Sequence, residues 1–149
     1  MTPSKYNWFM FFKLPSAWWS GVRLRQLDNF KAVVRIKHNW FNKNPFKSMF
    51  WAAQGMAAEF ATGVLVMEQI RRSKRPISML VANNKASFSK KAKGIITFSC
   101  NDGHLVEDAI AATLASGEGQ KFWMKAKGID THGDEVSSFE FEWTIKLKV

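Results

Sequence analysis

Ser48-Met49-Phe50-Trp51-Ala52-Ala53-Gln54-Gly55-Met56-Ala57-Ala58-Glu59-Phe60-Ala61-Thr62-Gly63-Val64-Leu65-Val66-Met67 is the stretch on which the fold turns. It contains no proline, and Glu59 is the only charged residue between Lys47 and Glu68. The spacing predicts a helix from about residue 48 to 70, ending before the cations of Arg71-Arg72-Ser73-Lys74-Arg75-Pro76, which suit a helix C-terminus. A helix apolar on nearly every side needs cover on nearly every side. One flat sheet cannot supply that, whereas a curved sheet can. Gln54 and Glu59 near the centre, and the Ala/Gly richness, argue against a lone membrane span and for close approach of neighbouring backbones. A carboxylate in such surroundings is costly to bury unless it has partners or a task. Its same-face neighbours at three and four residues are Gly55, Met56, Thr62 and Gly63. The two glycines are expected to leave open surface beside it for a small molecule.

Outward from the helix, the signals are those of strands. Val22 to Leu27 alternates, Asp28-Asn29 turns, and Lys31 to Lys37 resumes, giving a hairpin with basic residues on its outer face. Asn42-Lys43-Asn44-Pro45 reads as a loop into the helix. After Pro76 come a long strand (Ile77 to Ser89), a turn at Lys90-Lys91-Ala92-Lys93-Gly94, and a returning strand (Ile95 to Asn101). His104 to Ser116 has the pattern of a second, amphipathic helix. Gln120 to Ile129 and Ser137 to Val149 are the last strands. In the final one Phe139, Phe141, Trp143, Ile145, Leu147 and Val149 alternate with polar residues. The order predicts an α+β domain: about six antiparallel strands curved around one long helix, with a second helix between later strands. Residues 20–149 form that domain, and residues 1–19 an aromatic helical segment ahead of it.

That N-terminal segment, Tyr6-Asn7-Trp8-Phe9-Met10-Phe11-Phe12-Lys13-Leu14-Pro15-Ser16-Ala17-Trp18-Trp19, reads as a short helix broken at Pro15. It is expected to be a lid on the core or on a partner subunit. The alternative is peripheral membrane contact through 6–19, of the kind aromatic amphipathic segments make. No signal peptide is recognisable, and the lone Cys100 lies in an apparent strand as a packed thiol, so a reduced, cytoplasmic setting is expected. The net charge of +10 is concentrated in residues 1–47, which hold nine Lys/Arg against one acid, Asp28. A basic surface favours phosphates, whether of a nucleic acid, a membrane or a phosphorylated cofactor. Most of the seven Trp lie in apolar patterns rather than on an exposed basic face, which disfavours nucleic acid.

With the loop Asn42-Lys43-Asn44-Pro45-Phe46 and the helix motif Ala57-Ala58-Glu59-Phe60-Ala61-Thr62-Gly63, this order of elements resembles the hot-dog fold thioesterase superfamily, and most nearly its phenylacetyl-CoA-thioesterase-like branch. The resemblance covers roughly 20–149. It implies that Glu59, four residues before Gly63, is the base or nucleophile, and that Asn42 or Asn44 is the loop asparagine. It also implies that Lys90, Lys91 and Lys93 lie near the coenzyme A phosphates. A homodimer or dimer of dimers, with the site between subunits, is implied as well. In one respect the chain departs: Phe50-Trp51-Ala52 stands where active members carry His-Gly-Gly.

The expected chemistry is hydrolysis of an acyl-CoA thioester, with coenzyme A as part of the substrate and no other cofactor. The catalytic candidates are Glu59, Asn44 and Gln54, the last orienting water or the carbonyl. Amides of the first helical turn would hold the oxyanion. Lys90, Lys91 and Lys93, with Asn83, are the candidates for the coenzyme A portion. In the rival class the protein binds acyl-CoA or a fatty-acyl chain without hydrolysing it. Glu59 would then be a structural carboxylate answered across an interface by a residue such as Asn83 or Lys85. His38, His104 and His132 are scattered without ligand spacing, so no metal is expected. No phosphate-binding glycine loop and no Gly-x-Ser-x-Gly elbow is present.

Overall fold

In the computed structural model, which describes Met1–Val149, the chain runs α1 (Pro3–Lys13), α2 (Pro15–Trp19), β1 (Arg23–Leu27), β2 (Ala32–Lys37) and α3 (Trp51–Ser73). It continues through β3 (Ile77–Phe88), β4 (Ile95–Cys100), α4 (Gly103–Ser116), β5 (Gln120–Ile129) and β6 (Glu135–Leu147). The six strands form one sheet in the order β1-β2-β4-β5-β6-β3, every neighbouring pair antiparallel. The 23-residue α3 lies along its inner face, touching strands across the whole sheet, with α4 beside it. This is the α+β architecture that the apolar helix demanded, with a curved antiparallel sheet closing round a long central helix. No helix is long and apolar enough to cross a membrane.

The alternation of the last strand is realised in β6. Phe139, Phe141, Trp143 and Ile145 are buried against α3, Leu147 is half-buried, and Val149 lies beyond the strand end. Two of these rings explain the glycines of α3. A Cβ on Gly55 would stand 3.4 Å from Phe139 Cε1, and one on Gly63 would stand 3.0 Å from Trp143 Cζ2. Both glycines receive aromatic rings and let the helix approach the sheet closely, and Gly63 also lines the open cleft beside Glu59. Cys100 is fully buried, and burial pushes its thiol up to about 12, as befits a packed thiol.

The chain breaks at Pro15, between α1 and α2, as the sequence predicts. The two helices are firmly docked. Tyr6, Met10 and Ala17 belong to the same buried cluster as the helix–sheet core. Tyr6 donates its hydroxyl to Glu68 Oε2 on α3 at 2.6 Å. Asn7 binds β1 twice, accepting from the Leu24 N–H at 2.8 Å and donating to the Leu24 carbonyl at 3.1 Å.

Candidate active site

Gln54 and Glu59 are five residues apart on α3, about 7.5 Å along the axis and about 140° around it. They therefore leave the helix on different sides, and each lines its own cleft.

The cleft beside Glu59 has a volume of about 420 Å3 and a largely apolar lining that includes Phe9, Leu14, Phe60, Met79 and Trp143. The carboxylate accepts no hydrogen bond and meets no cation within ion-pairing distance in this chain. Burial without a compensating partner raises its pKa above the ordinary carboxylate value. Asn83 and Lys85 are engaged on the sheet: Asn83 Nδ2 donates to Glu142 Oε1 at 2.9 Å, and Lys85 Nζ lies 3.7 Å from Glu140 Oε2. Asn83 lines neither cleft.

The second cleft, of about 460 Å3, lies at the N-terminal end of α3 and includes Asn44, Phe50, Trp51, Gln54, Lys90 and Lys91 in its lining. Phe50 is the N-cap and offers no side-chain acceptor. Ala53 and Gln54 both donate to the Phe50 carbonyl, whereas the N–H groups of Trp51 and Ala52 have no acceptor within the chain. They are free donors at the positive end of a long helix. Gln54 is buried, donates Nε2 to the Met49 carbonyl at 3.3 Å, and leaves Oε1 without a partner.

Asn44 is taken up by its own loop. Its amide donates to Ser48 Oγ (3.0 Å) and the Met49 carbonyl (3.3 Å), while Oδ1 accepts from the Phe46 N–H at 2.9 Å. No amide proton is left for a substrate, so its part is to shape the turn ahead of α3. Asn42 is likewise buried, donating to the Ser20 and Lys37 carbonyls. Lys90 is held between Asp130 Oδ2 (2.8 Å) and Asp134 Oδ2 (2.7 Å), which neutralise it and hold it in place. Lys91 reaches only the Phe46 carbonyl at 3.3 Å, and exposed Lys93 has no ion pair.

A model of the family described as Domain of unknown function (DUF4442) matches residues 4–145. The chain belongs to the DUF4442 family. The match includes α1 and α2, consistent with their place in the core of this DUF4442 domain. No curated protein sequence matches the chain significantly. Among solved structures, a Pseudomonas aeruginosa protein described as a probable thioesterase superposes with a TM-score of 0.80 at 17% identity, covering 99% of this chain and 97% of that one. A Chlorobaculum tepidum protein of unknown function gives 0.82 at 14% identity, covering 99% and 98%. A second Pseudomonas aeruginosa protein, described as a thioesterase and solved as a mutant, gives 0.78 at 9% identity, covering 99% and 96%. At these identities the likeness is one of fold. This DUF4442 chain has the hot-dog architecture.

Several lining residues carry no signal in the sequence. Phe9 and Leu14 meet Glu59 only because α1 and α2 fold back over α3. Trp143 could have been found from the alternation of the last strand, which puts it on the inner face opposite the helix glycines.

Proposed function

We propose that the protein hydrolyses an acyl thioester, with acyl-CoA as the substrate class and Glu59 as the base or nucleophile. The observation that carries this reading is a half-buried carboxylate, unanswered by any group of its own chain, on the wall of an apolar cleft. In the general-base form, Glu59 takes a proton from water as the water oxygen adds to the thioester carbonyl carbon. The tetrahedral oxyanion collapses, the C–S bond breaks, and the thiolate leaves with the proton returned to it, giving an acid and a thiol. The apolar cleft holds the acyl group.

Donors for the oxyanion are the free Trp51 and Ala52 amides at the start of α3, with Gln54 beside them. Within one chain they open into the other cleft. The proposal therefore needs two copies, the Glu59 of one facing the helix start of the other. The edge strand β3 suits that pairing, being exposed from Ala82 onward and leaving Leu80 and Phe88 exposed where they border the two clefts. Lys91 and Lys93 are the cations free to meet the coenzyme A phosphates. Asn44 shapes the loop, and Lys90, with Asn83, has a structural role.

The test is free-thiol release from short, medium, long and aromatic acyl-CoAs by wild type and Glu59→Gln. Turnover that collapses in a folded Glu59→Gln protein supports the reading. Absence of turnover by wild type on every thioester refutes it. A second reading, binding of the acyl group without hydrolysis, is favoured by the exposed Phe50 and Trp51, which stand where the family resemblance implies His-Gly-Gly in active members. Acyl-CoA binding without thiol release identifies it.

A further inference from the structure

The docking of α1 and α2 buries one side of the aromatic segment and turns the other outward. Trp8 is 62% exposed, Phe12 69% and Trp19 61%. The outward rings form an ordered cluster. Trp8 stacks on Phe12 with centroids 6.2 Å apart, and Phe11 stands edge-on to Phe12 at 4.9 Å and to Trp18 at 5.4 Å. The loop ahead of α3 adds Trp40 at 78% and Phe41 at 59% exposure. Loop and hairpin are joined by the buried bond from Asn42 Nδ2 to the Ser20 carbonyl at 2.9 Å, so Phe41 and Trp19 are the chain neighbours of bonded residues.

The charge around these rings has one sign. Arg23 lies 3.4 Å over the Trp18 ring and Lys43 Nζ 5.4 Å over Trp40, while Lys5 and Lys13 stand on α1 and Arg25 of β1 shares a cleft with Trp8 and Trp18. From Met1 to Ala58 the only side-chain carboxylate is Asp28, whose Oδ1 is occupied by the N–H groups of Phe30 and Lys31 at 2.9 Å. Exposed Trp and Phe ringed by Lys and Arg, with no acid among them, is the composition of a surface that rests at a lipid headgroup boundary. The same face of a second copy would meet it with like charge alone. On the hairpin, a nucleic acid would need its bases to stack on Trp8 and Phe12, which are already stacked on one another.

We propose that the face formed by Trp8, Phe12 and Trp19 of the α1–α2 hairpin, with Trp40 and Phe41, docks on an anionic lipid bilayer. The rings enter the headgroup region and the surrounding cations meet lipid phosphates. The assignment is independent of the reaction proposed for Glu59. It carries one consequence for it, because Phe9, Lys13 and Leu14 of the same hairpin line the Glu59 cleft.

The test uses the full chain with extruded vesicles of phosphatidylcholine alone and of phosphatidylcholine mixed with phosphatidylglycerol. Flotation with the mixed vesicles is expected to exceed that with phosphatidylcholine alone by about tenfold or more, and to weaken as salt rises. The exposed triple substitution Trp8→Ser, Phe12→Ser, Trp19→Ser should lower bound protein by about tenfold or more, with the circular dichroism and Tm of wild type retained. Should that variant not fold, brominated lipids keep the question open to measurement, since they must quench the tryptophan fluorescence of wild type on mixed vesicles. Three outcomes overturn the proposal. One is no flotation with either vesicle. Another is an oligomer by light scattering that the substitutions dissociate, which gives the face to a second copy. The last is a salt-sensitive shift of a single-stranded oligonucleotide without vesicle binding.

Discussion

The indole N–H of Trp143 donates to Thr62 Oγ1 at 2.9 Å, and that hydroxyl in turn donates to the Glu59 carbonyl oxygen at 2.9 Å. The inner face of the sheet is thus tied, through one hydroxyl, to the turn of α3 that carries the candidate carboxylate.

Because that bond anchors the Trp143 ring, the two helix glycines should respond oppositely to an added methyl. Gly63→Ala puts a Cβ 3.0 Å from a ring that cannot easily retreat, and overpacking outweighs the gain in helix propensity, a net loss of roughly 1–2 kcal/mol. Gly55→Ala meets Phe139 at 3.4 Å, an ordinary contact, so propensity should dominate and leave stability unchanged or raised by up to about 1 kcal/mol. Urea unfolding of the two variants measures the difference. Equal losses would refute the assigned anchoring role of Trp143.

Glu59 makes stability and activity depend on pH in opposite directions. Its folded pKa is raised by burial, so the folded protein binds the extra proton. Its contribution to stability is complete below the unfolded value and is lost as pH rises through the folded one. Over the same window the carboxylate becomes the base that the proposed reaction requires. Glu59→Gln should therefore gain stability relative to wild type as pH rises, while thiol release by wild type increases. A constant stability difference across the range would refute the direction given.

Tyr6→Phe removes the hydroxyl from Glu68 Oε2. Hydrogen bonds to a charged acceptor contribute about 1.5–3 kcal/mol. The lower end is expected, because Arg71 still reaches Glu68 at 2.7 Å and Arg72 at 3.3 Å. The Glu68 carboxyl stays well below the ordinary range because bonds from Arg71, the N-terminal ammonium and Tyr6 outweigh its desolvation. Hydrogen exchange should show the loss as faster opening of α1 and α2 with little change in β5 and β6.

Lys74 ends α3 with a left-handed φ of 55°. Glycine adopts that conformation at no steric cost, so Lys74→Gly is expected to raise stability by about 0.5–1 kcal/mol in thermal unfolding. A fall in Tm would indicate that the lysine side chain contributes more than its backbone strain costs.

The elements were legible because period and punctuation agree along the chain. Pro15 and Pro76 mark real breaks, and the alternation from Phe139 to Ile145 is the wall that α3 packs against. Glu59 stood out because a lone charge in an apolar helix is informative by its position alone. The loop and lysine assignments were less legible, since they depend on which distant group arrives. Asp130 and Asp134 reach Lys90 from the β5–β6 turn, Asn44 turns back on its own loop, and Gln54 and Glu59 face apart. Of the glycines beside Glu59, Gly63 does border an open cleft, but sequence spacing shows only which residues share a helix face, not that Phe139 and Trp143 also pack against them.

The hairpin of α1 and α2 also closes one end of the sheet. Asn7 satisfies both backbone groups of Leu24, the Val22 N–H donates to the Ala17 carbonyl at 3.0 Å, and Arg23 Nη1 covers the Val22 carbonyl at 2.7 Å. The β1 border is thereby stopped with side chains and helix, while β3 at the other border stays open. A sheet sealed on one side can lengthen by edge pairing only once. Two copies joined through β3 would present borders stopped at Val22–Leu24 at both ends, so such a pair would resist growing into a fibre.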